Sequence, residues 1–494
     1  MTQQGVTGSR ELRWYDFITI NAHHLGISVL NQTMLPLVLP LLVQQFVGRA
    51  AQGAYFGRLR LGGLMVGLLT QAVMGLLSDH CRARWGRRRP FILGGTLTIF
   101  LVIVAFLHIT AMAGLRGFWY FFGAYLLLQA AVNTSLGAVQ GLIPDLVPPE
   151  KRSIFSGGKA LFEVPLPVIL VAFAIAPLIS AGRLPAGLLV VSGVLAATLA
   201  LTMLAPEAPL QNVPDPIDWN PLGRLVLMTG AFTGVILGMG GLVNWSGKLW
   251  LAVAGSWPIF LGMGTVGLLA MCGSIVGGVW ISIRISLGHS KTRAATAFTW
   301  WVINRLAFLV GAFNLSSFVL YFIQARLGLS AEEAAAPASR VMLVVGIALL
   351  LAVLPSGWLT DRWGNGHLVT ASGLAAGTGT FLLLLAPTLG HIYAGGAIIG
   401  LATGVFYTAN WALGVELVPQ EEAGRYLGIA NLAGAGAGAI GSYIGGPLAD
   451  YVTLHVPEIP GAGYLLLFFI YGLLFLFSGL LAARKLYWSQ LLAH

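Results

Sequence analysis

The chain has 494 residues, 57% of them hydrophobic and only 9% charged, with a mean hydropathy of +0.83. A soluble domain carries about 25% charged residues, so this chain has too little polar side chain to cover a globule, and a soluble enzyme is excluded. Its 27 Lys and Arg against 17 Asp and Glu give a net charge of +10, but the basic residues sit in short loops between apolar runs, so the excess reads as membrane topology rather than as a nucleic-acid surface.

Residues 1–16 are polar and show no small-residue cleavage site, so the first apolar run is expected to serve as the insertion signal. Runs of about 20 apolar residues, the length that crosses a bilayer as a helix, follow at 17–46, 60–78, 91–112, 118–143, 153–180 and 185–204. A polar, proline-containing stretch at 205–221 reads as a hinge. Two further runs, 222–243 and 257–285, precede a last six at 296–324, 339–359, 367–387, 391–415, 424–450 and 462–483. The expected protein is an all-α polytopic membrane protein of fourteen spans. It divides into an N-terminal six-helix bundle over 1–204, a cytoplasmic linker over 205–221, two additional transmembrane helices over 222–290 and a C-terminal six-helix bundle over 291–494. Unbroken apolar runs argue against a β-barrel, whose strands alternate, and 65 glycines suit helices that approach closely in lipid.

Arg82, Arg84, Arg87, Arg88 and Arg89 follow the second run and mark its loop as cytoplasmic. Lys151, Arg152, Arg284, Lys291, Arg293, Arg362, Arg425, Arg484 and Lys485 fall on the same side, while Arg49, Arg58 and Arg60 fall opposite and count against the scheme. A multi-pass protein of the cytoplasmic (inner) membrane with both termini cytoplasmic is expected. Cys81 and Cys272 make no disulfide framework, no Cys/His cluster has metal-ligand spacing, and no phosphate-binding loop is present. No metal, cofactor or ATP drive is therefore expected. Nor is an enzyme, since no nucleophile, base and orienting group recur at interpretable spacing.

The two ends of the chain repeat one another. LSDHCRARWGRRRP answers LTDRWGNGH, with Asp79 matching Asp361 and Trp85-Gly86 matching Trp363-Gly364. DLVPPEKRSIFSG from Asp145 answers ELVPQEEAGRYLG from Glu416, with Arg152 matching Arg425. Gly75, Asp79, Gly86, Arg87, Arg88 and Arg89 fit the pattern G-x-x-x-D-R-x-G-R-R-K/R with an insertion after the aspartate. In these residues the chain resembles the major facilitator superfamily of secondary transporters. The longer form SDHCRARWGRRRPFI is most similar to its sucrose-transporter and sugar–cation symporter branch. The resemblance implies two six-helix bundles, a central cavity and alternating access. It also implies a cytoplasmic gate made by those residues together with Asp361, Arg362 and Gly364. The chain departs from the pattern in the fourth run, which offers Gln129, Asn133 and Gln140 but neither the arginine of many proton-coupled members nor the acidic residue of the sucrose branch. The fifth run lacks the glycine-proline signature of drug antiporters.

Ionisable side chains deep in the runs are His23, His24, Lys159, Glu163 and Arg305, and each charge at mid-bilayer costs at least about 2.5–3.5 kcal/mol. Glu163 lies about ten residues into the fifth run, roughly 15 Å from its cytoplasmic end, with Lys159 one turn back. It suits a proton acceptor or a substrate ligand, because burial and a nearby cation pull a carboxyl in opposite directions. A static ion pair is the alternative. His23 and His24 point about 100° apart on a helix, so at most one faces a cavity squarely, and each is a proton relay or a packing residue. Arg305, beside Asn304, carries a permanent charge fit for an anionic group or for the Glu163 carboxylate. Asn31, Gln32, Gln71, Asn133, Tyr407, Asn410 and Trp411 suit a hydroxyl-rich solute, with Tyr407 or Trp411 stacking on a sugar face, or else serve as interhelical hydrogen bonds. The expected function is a secondary transporter for a small organic solute, a sugar or glycoside, with protons or another coupling ion and membrane lipid as partners and no nucleic acid. Export or flipping of a lipid-like amphipathic compound, and a transporter-shaped assembly or pigment-handling factor, stay open.

Overall fold

The computed structural model describes residues 12–207, 209, 219–250, 255–288, 296–418 and 423–491. Much of the expected linker lies outside these residues, as do Lys291 and Arg293 and the side chains of Arg425 and Lys485.

Every apolar run corresponds to one long helix. They are α1 (Asp16–Val47), α2 (Gln52–Asp79), α3 (Arg89–Ile109), α4 (Gly114–Leu146), α5 (152–180), α6 (Leu184–Thr202) and α7 (Asn220–Trp250). Then follow α8 (Ser256–Leu287), α9 (Thr296–Leu327), α10 (Ala331–Trp363), α11 (Asn365–Leu385), α12 (Leu389–Leu417), α13 (Ala423–His455) and α14 (Ala462–Leu491). Helices dominate because a bilayer offers no water to backbone N–H and C=O groups, which must pair within the segment. Among the described residues thirteen of these helices are long and apolar enough to cross a membrane, and the glycine- and alanine-rich α13 completes the fourteen.

α4 breaks briefly at Gln140 and Gly141, and α1 and α5 carry larger breaks. A π-helical turn, Met34–Val38, interrupts α1 around Pro36. In α5, helix Arg152–Glu163 ends at Val164, and a short helix Pro165–Leu170 and a π turn Val171–Ile175 follow. Pro165 and Pro167 have no N–H to give, so the carbonyls of Leu161 and Glu163 lose their helical donors at that level.

The helices gather into two compact units, Met1–Met34 with Met65–Leu222 and Leu35–Leu64 with Gly223–His494. In the first, the opening half of α1 packs on α5 and α6, and α3 on α4. In the second, α9 is the core helix, with Phe308 stacked on Phe406 (centroids 3.6 Å apart) and Phe322 on Phe468 (4.2 Å). Lipid is as apolar as these rings, so close contact rather than water release holds the helices together. The added pair α7 and α8 belongs to this unit and packs on α13: a Cβ at Gly436 of α13 would run into the Phe232 ring of α7, and one at Gly240 would lie 2.5 Å from Tyr443. Tyr451 donates to the Gly247 carbonyl at 2.6 Å.

The helical hairpin 35–64 also packs in the second unit. α2 begins at Gln52 rather than at residue 60, which corrects the reading of Arg58 and Arg60 as loop residues: both lie in the helix, and Arg60 is buried. The opening of α2 meets α13 so closely that a Cβ on Gly53 would sit 2.5 Å from the Gly446 carbonyl oxygen. Asp450 of α13 caps it. The Gly53 and Ala54 N–H groups donate to its two carboxylate oxygens at 2.9 and 2.7 Å, and Tyr464 donates at 3.3 Å. These are helix-terminal donors without partners in their own helix, aligned with a dipole that favours an anion.

Candidate functional site

In the first unit the helix break in α5 leaves Glu163 at the last turn of Arg152–Glu163, about a third exposed. Lys159 Nζ, four residues back on the same face, lies 3.5 Å from Oε1. His24 Nδ1 of α1 lies 3.0 Å from the same oxygen, and its ring is 1% exposed. His23 turns to other helices. Its Nε2 lies 2.8 Å from Ser135 Oγ and 3.2 Å from Thr96 Oγ1, whose hydroxyl donates to the Ile92 carbonyl at 2.7 Å. Of the two histidines, His24 therefore shares a site with Glu163 and Lys159, and His23 joins a hydroxyl cluster between α1, α3 and α4. A carboxylate flanked by a cation and an imidazole can take a proton, pass one, or hold a polar solute group.

The turn after α2 is wired by charge. Arg88, almost fully buried, pairs with Asp79 through Nη2 and with Asp145 through Nε at 2.9 Å, and its Nη1 donates to Ser78 at 2.6 Å. Arg87 reaches the other Asp145 oxygen at 2.5 Å. Glu207, just past α6, accepts from the backbone N–H groups of Arg88 and Arg89 at 2.7 and 3.2 Å, and Arg89 donates to the Ala205 carbonyl. Gly86 holds φ +119°, a conformation L side chains rarely adopt, and a Cβ there would run into the Glu207 carboxylate. Burial pushes the Glu207 carboxyl above its ordinary value despite the opposing N–H donors. A Cβ on Gly75 would stand 4.0 Å from the Gly137 carbonyl, an ordinary contact.

The corresponding turn after α10 holds a neutral donor in place of the arginines: Asn365 Nδ2 donates to Glu416 Oε1 at 2.9 Å. Gly364, at φ +80°, ends α10 and starts α11; Asp361 and Arg362 are exposed, and within the second unit neither pairs with an opposite charge among the described residues. Arg362 rests 5.5 Å from the Trp358 ring.

In the second unit Arg305 of α9 faces Tyr407, Asn410 and Trp411, which share one side of α12 at spacings of three and four. Its Nη1 donates to Asn410 Oδ1 at 3.1 Å, and its guanidinium carbon lies 5.3 Å from the Trp411 ring and 5.8 Å from that of Trp301. Asn410 in turn donates to Asn304 Oδ1 at 3.2 Å, and Asn304 to the Ser478 carbonyl at 2.6 Å. The remaining polar residues sit apart from either cluster. Asn31 is exposed and Gln32 half-buried on α1, Gln71 donates to Gln140 at 3.1 Å, and Asn133 donates back to the Gln129 carbonyl of its own helix at 2.8 Å. Asp145, Ser135, Thr96 and Glu207 are site neighbours that sequence reasoning did not single out. Of these only Asp145 stood in a repeat.

Fourteen long helices, thirteen of them apolar enough to cross a membrane among the described residues, paired ends of the chain and a charge-wired turn after α2 define a polytopic membrane protein of transporter type. The Major Facilitator Superfamily model matches residues 301–489, and the model for MFS/sugar transport proteins matches residues 34–206. The chain belongs to the major facilitator superfamily. It is 32% identical over 114 residues to the sucrose transport protein SUC3 of Arabidopsis thaliana, covering 18% of each chain. To the membrane-associated transporter protein of Mus musculus it is 51% identical over 49 residues, 10% of this chain and 9% of that one. The chain thus matches less than a fifth of the length of either relative. The fold is shared with a D-xylose-proton symporter (TM-score 0.62, 15% identity, 95% of this chain and 97% of that one). It is shared also with the nucleoside transporter NupG (TM-score 0.60, 13% identity, 96% of this chain and 100% of that one).

Proposed function

We propose that the protein is a secondary transporter that moves a small organic solute, a sugar or glycoside, across the cytoplasmic membrane by alternating access, coupled to protons. The placement of Glu163 carries this reading: a carboxylate at a proline-made break in a membrane helix, within 3.0 Å of His24 and 3.5 Å of Lys159. Ionised, Glu163 is held by Lys159. Protonated at Oε1, it releases that cation, and His24 is the neighbour placed to deliver or remove the proton. The likeness to sucrose transport protein SUC3 and the sugar-transport family model support a sugar-like solute. The Asp79–Arg88–Asp145 network supports a cytoplasmic gate, with the termini on that side.

The test is purified protein in liposomes with an internal pH dye, challenged with sugars, glycosides and organic anions. Solute-dependent acidification is expected, and Glu163→Gln should abolish accumulation driven by a proton gradient while leaving solute exchange. Unchanged accumulation in that variant would overturn the role of Glu163. An exporter of amphipathic compounds or an assembly factor would leave soluble sugars without effect on internal pH.

A further inference from the structure

We infer that the transported solute carries an anionic oxygen group, and that Arg305 is the residue that receives it. The inference rests on the transport reading and narrows its substrate class.

Arg305 stands about ten residues into α9, roughly 15 Å from the helix start, in a helix most of whose side chains are buried. Its charge is permanent, so unlike a lysine or histidine it cannot escape the cost of burial by losing a proton. Charges in such places are paired or functional. Arg87 and Arg88 show the paired case, with Asp79 and Asp145 around them. Arg305 has no such partner among the described residues of its unit. Within its unit no Asp or Glu among the described residues comes within 4.0 Å, and Glu163 already has Lys159 and His24 against its own oxygen. The acceptor that Arg305 reaches among the described residues is the neutral Asn410 Oδ1. Its Nε is buried and without a partner among the described residues.

The surroundings hold the guanidinium in place without neutralising it. Trp301 donates through Nε1 to the Asn410 carbonyl at 2.8 Å and lies against Gly414, where a Cβ would collide with the indole. Asn410 is aimed by Asn304, and Asn304 by Ser478. The chain Ser478–Asn304–Asn410 therefore turns Oδ1 of Asn410 onto one edge of the fork, leaving the Nε and Nη2 edge for a bidentate acceptor. Beside it the Trp411 indole is 43% exposed, a free ring face next to a free charge. A carboxylate on a ring fits both features: its oxygens take the unpartnered edge of the fork and its ring lies on Trp411. A neutral sugar would cover the indole and leave the charge unanswered, at the cost of a buried unpaired donor.

The probe pair is glucose and glucuronate, which differ in the carboxylate alone, with binding to the purified full-length protein read by calorimetry or thermal shift, so that no transport is required. Wild type should bind glucuronate at least tenfold more tightly than glucose. Arg305→Gln should erase that preference, and Arg305→Lys, which keeps the charge but not the fork, should restore part of it. Should the glutamine variant fail to fold, Asn410→Asp supplies an internal carboxylate to Arg305 and should abolish the preference with the arginine still present. Equal binding of the two probes by wild type, or a preference that survives both Arg305→Gln and Asn410→Asp, would overturn the inference. So would competition by acetate, chloride or phosphatidylglycerol as strong as that of glucuronate, which would make the site a general anion or lipid contact. Glucuronate that binds through Arg305 but never crosses a liposome would leave this site standing and sink the transport reading instead.

Discussion

Glu163 and Arg305 occupy comparable depths in spans of the two units, and their surroundings are opposites. The carboxylate has Lys159 and His24 within 3.5 Å, whereas the guanidinium has Asn410 and two indoles and, within its unit, no carboxylate among the described residues. The two signature turns differ in the same way: Asp79, though exposed, is paired with the buried Arg88, and Asp361 pairs with no cation of its unit among the described residues. A repeated sequence thus does not bring repeated electrostatics. What a charged residue does follows from the partners that the packing brings to it.

Variants separate the two regions. The largest effect belongs to Glu163→Gln, expected to reduce gradient-driven accumulation to background; residual accumulation near wild type would place the proton elsewhere. Arg305→Gln should leave proton movement with a neutral solute intact and cost at least tenfold in preference for the anionic one, about 1.4 kcal/mol. For the turns, Arg88→Ala removes the partner of two carboxylates and should destabilise the protein by about 3–5 kcal/mol, while Arg362→Ala should stay within about 0.5 kcal/mol. Denaturation of the purified variants in one detergent compares them, and equal losses would mean that the second turn is wired as well. Asp450→Asn puts an amide against one of the two N–H groups it now accepts and should cost about 1 kcal/mol, as loss of a helix cap does. Smallest is Glu207→Gln. Burial raises this carboxyl above its ordinary value, so the proton is favoured by folding. That contribution is complete below the ordinary value and is lost as pH rises through the folded one. The glutamine variant should therefore gain on wild type from acid to neutral pH, and a loss over that interval would show that the N–H donors outweigh burial.

The helices were legible because continuous apolar runs of span length have few other solutions. Their ends were less so. The first turns of α2 contain Gln52, Arg58 and Arg60, which lower local hydropathy although the helix continues, so a boundary drawn on apolarity began at residue 60 and put Arg60 at the edge of the run instead of two turns inside the helix. Asp450 fell at the edge of a run for the same reason. Lys159 and Glu163 could be paired from spacing alone, since four residues make one turn. His24 could not be joined to them, because that contact depends on α1 packing against α5. Arg88 and Asp145 are 57 residues apart, and the repeat marked both segments without showing that one arginine bridges them. The ladder from Ser478 through Asn304 and Asn410 to Arg305 joins three helices and has no local signature at all.

The most direct test of the account is the internal pH of proteoliposomes on addition of solute, compared between wild type and Glu163→Gln at equal reconstitution. The account predicts rapid acidification with at least one sugar or sugar acid in wild type and none in the variant, with solute exchange preserved in both. Acidification at the same rate in the variant would contradict it.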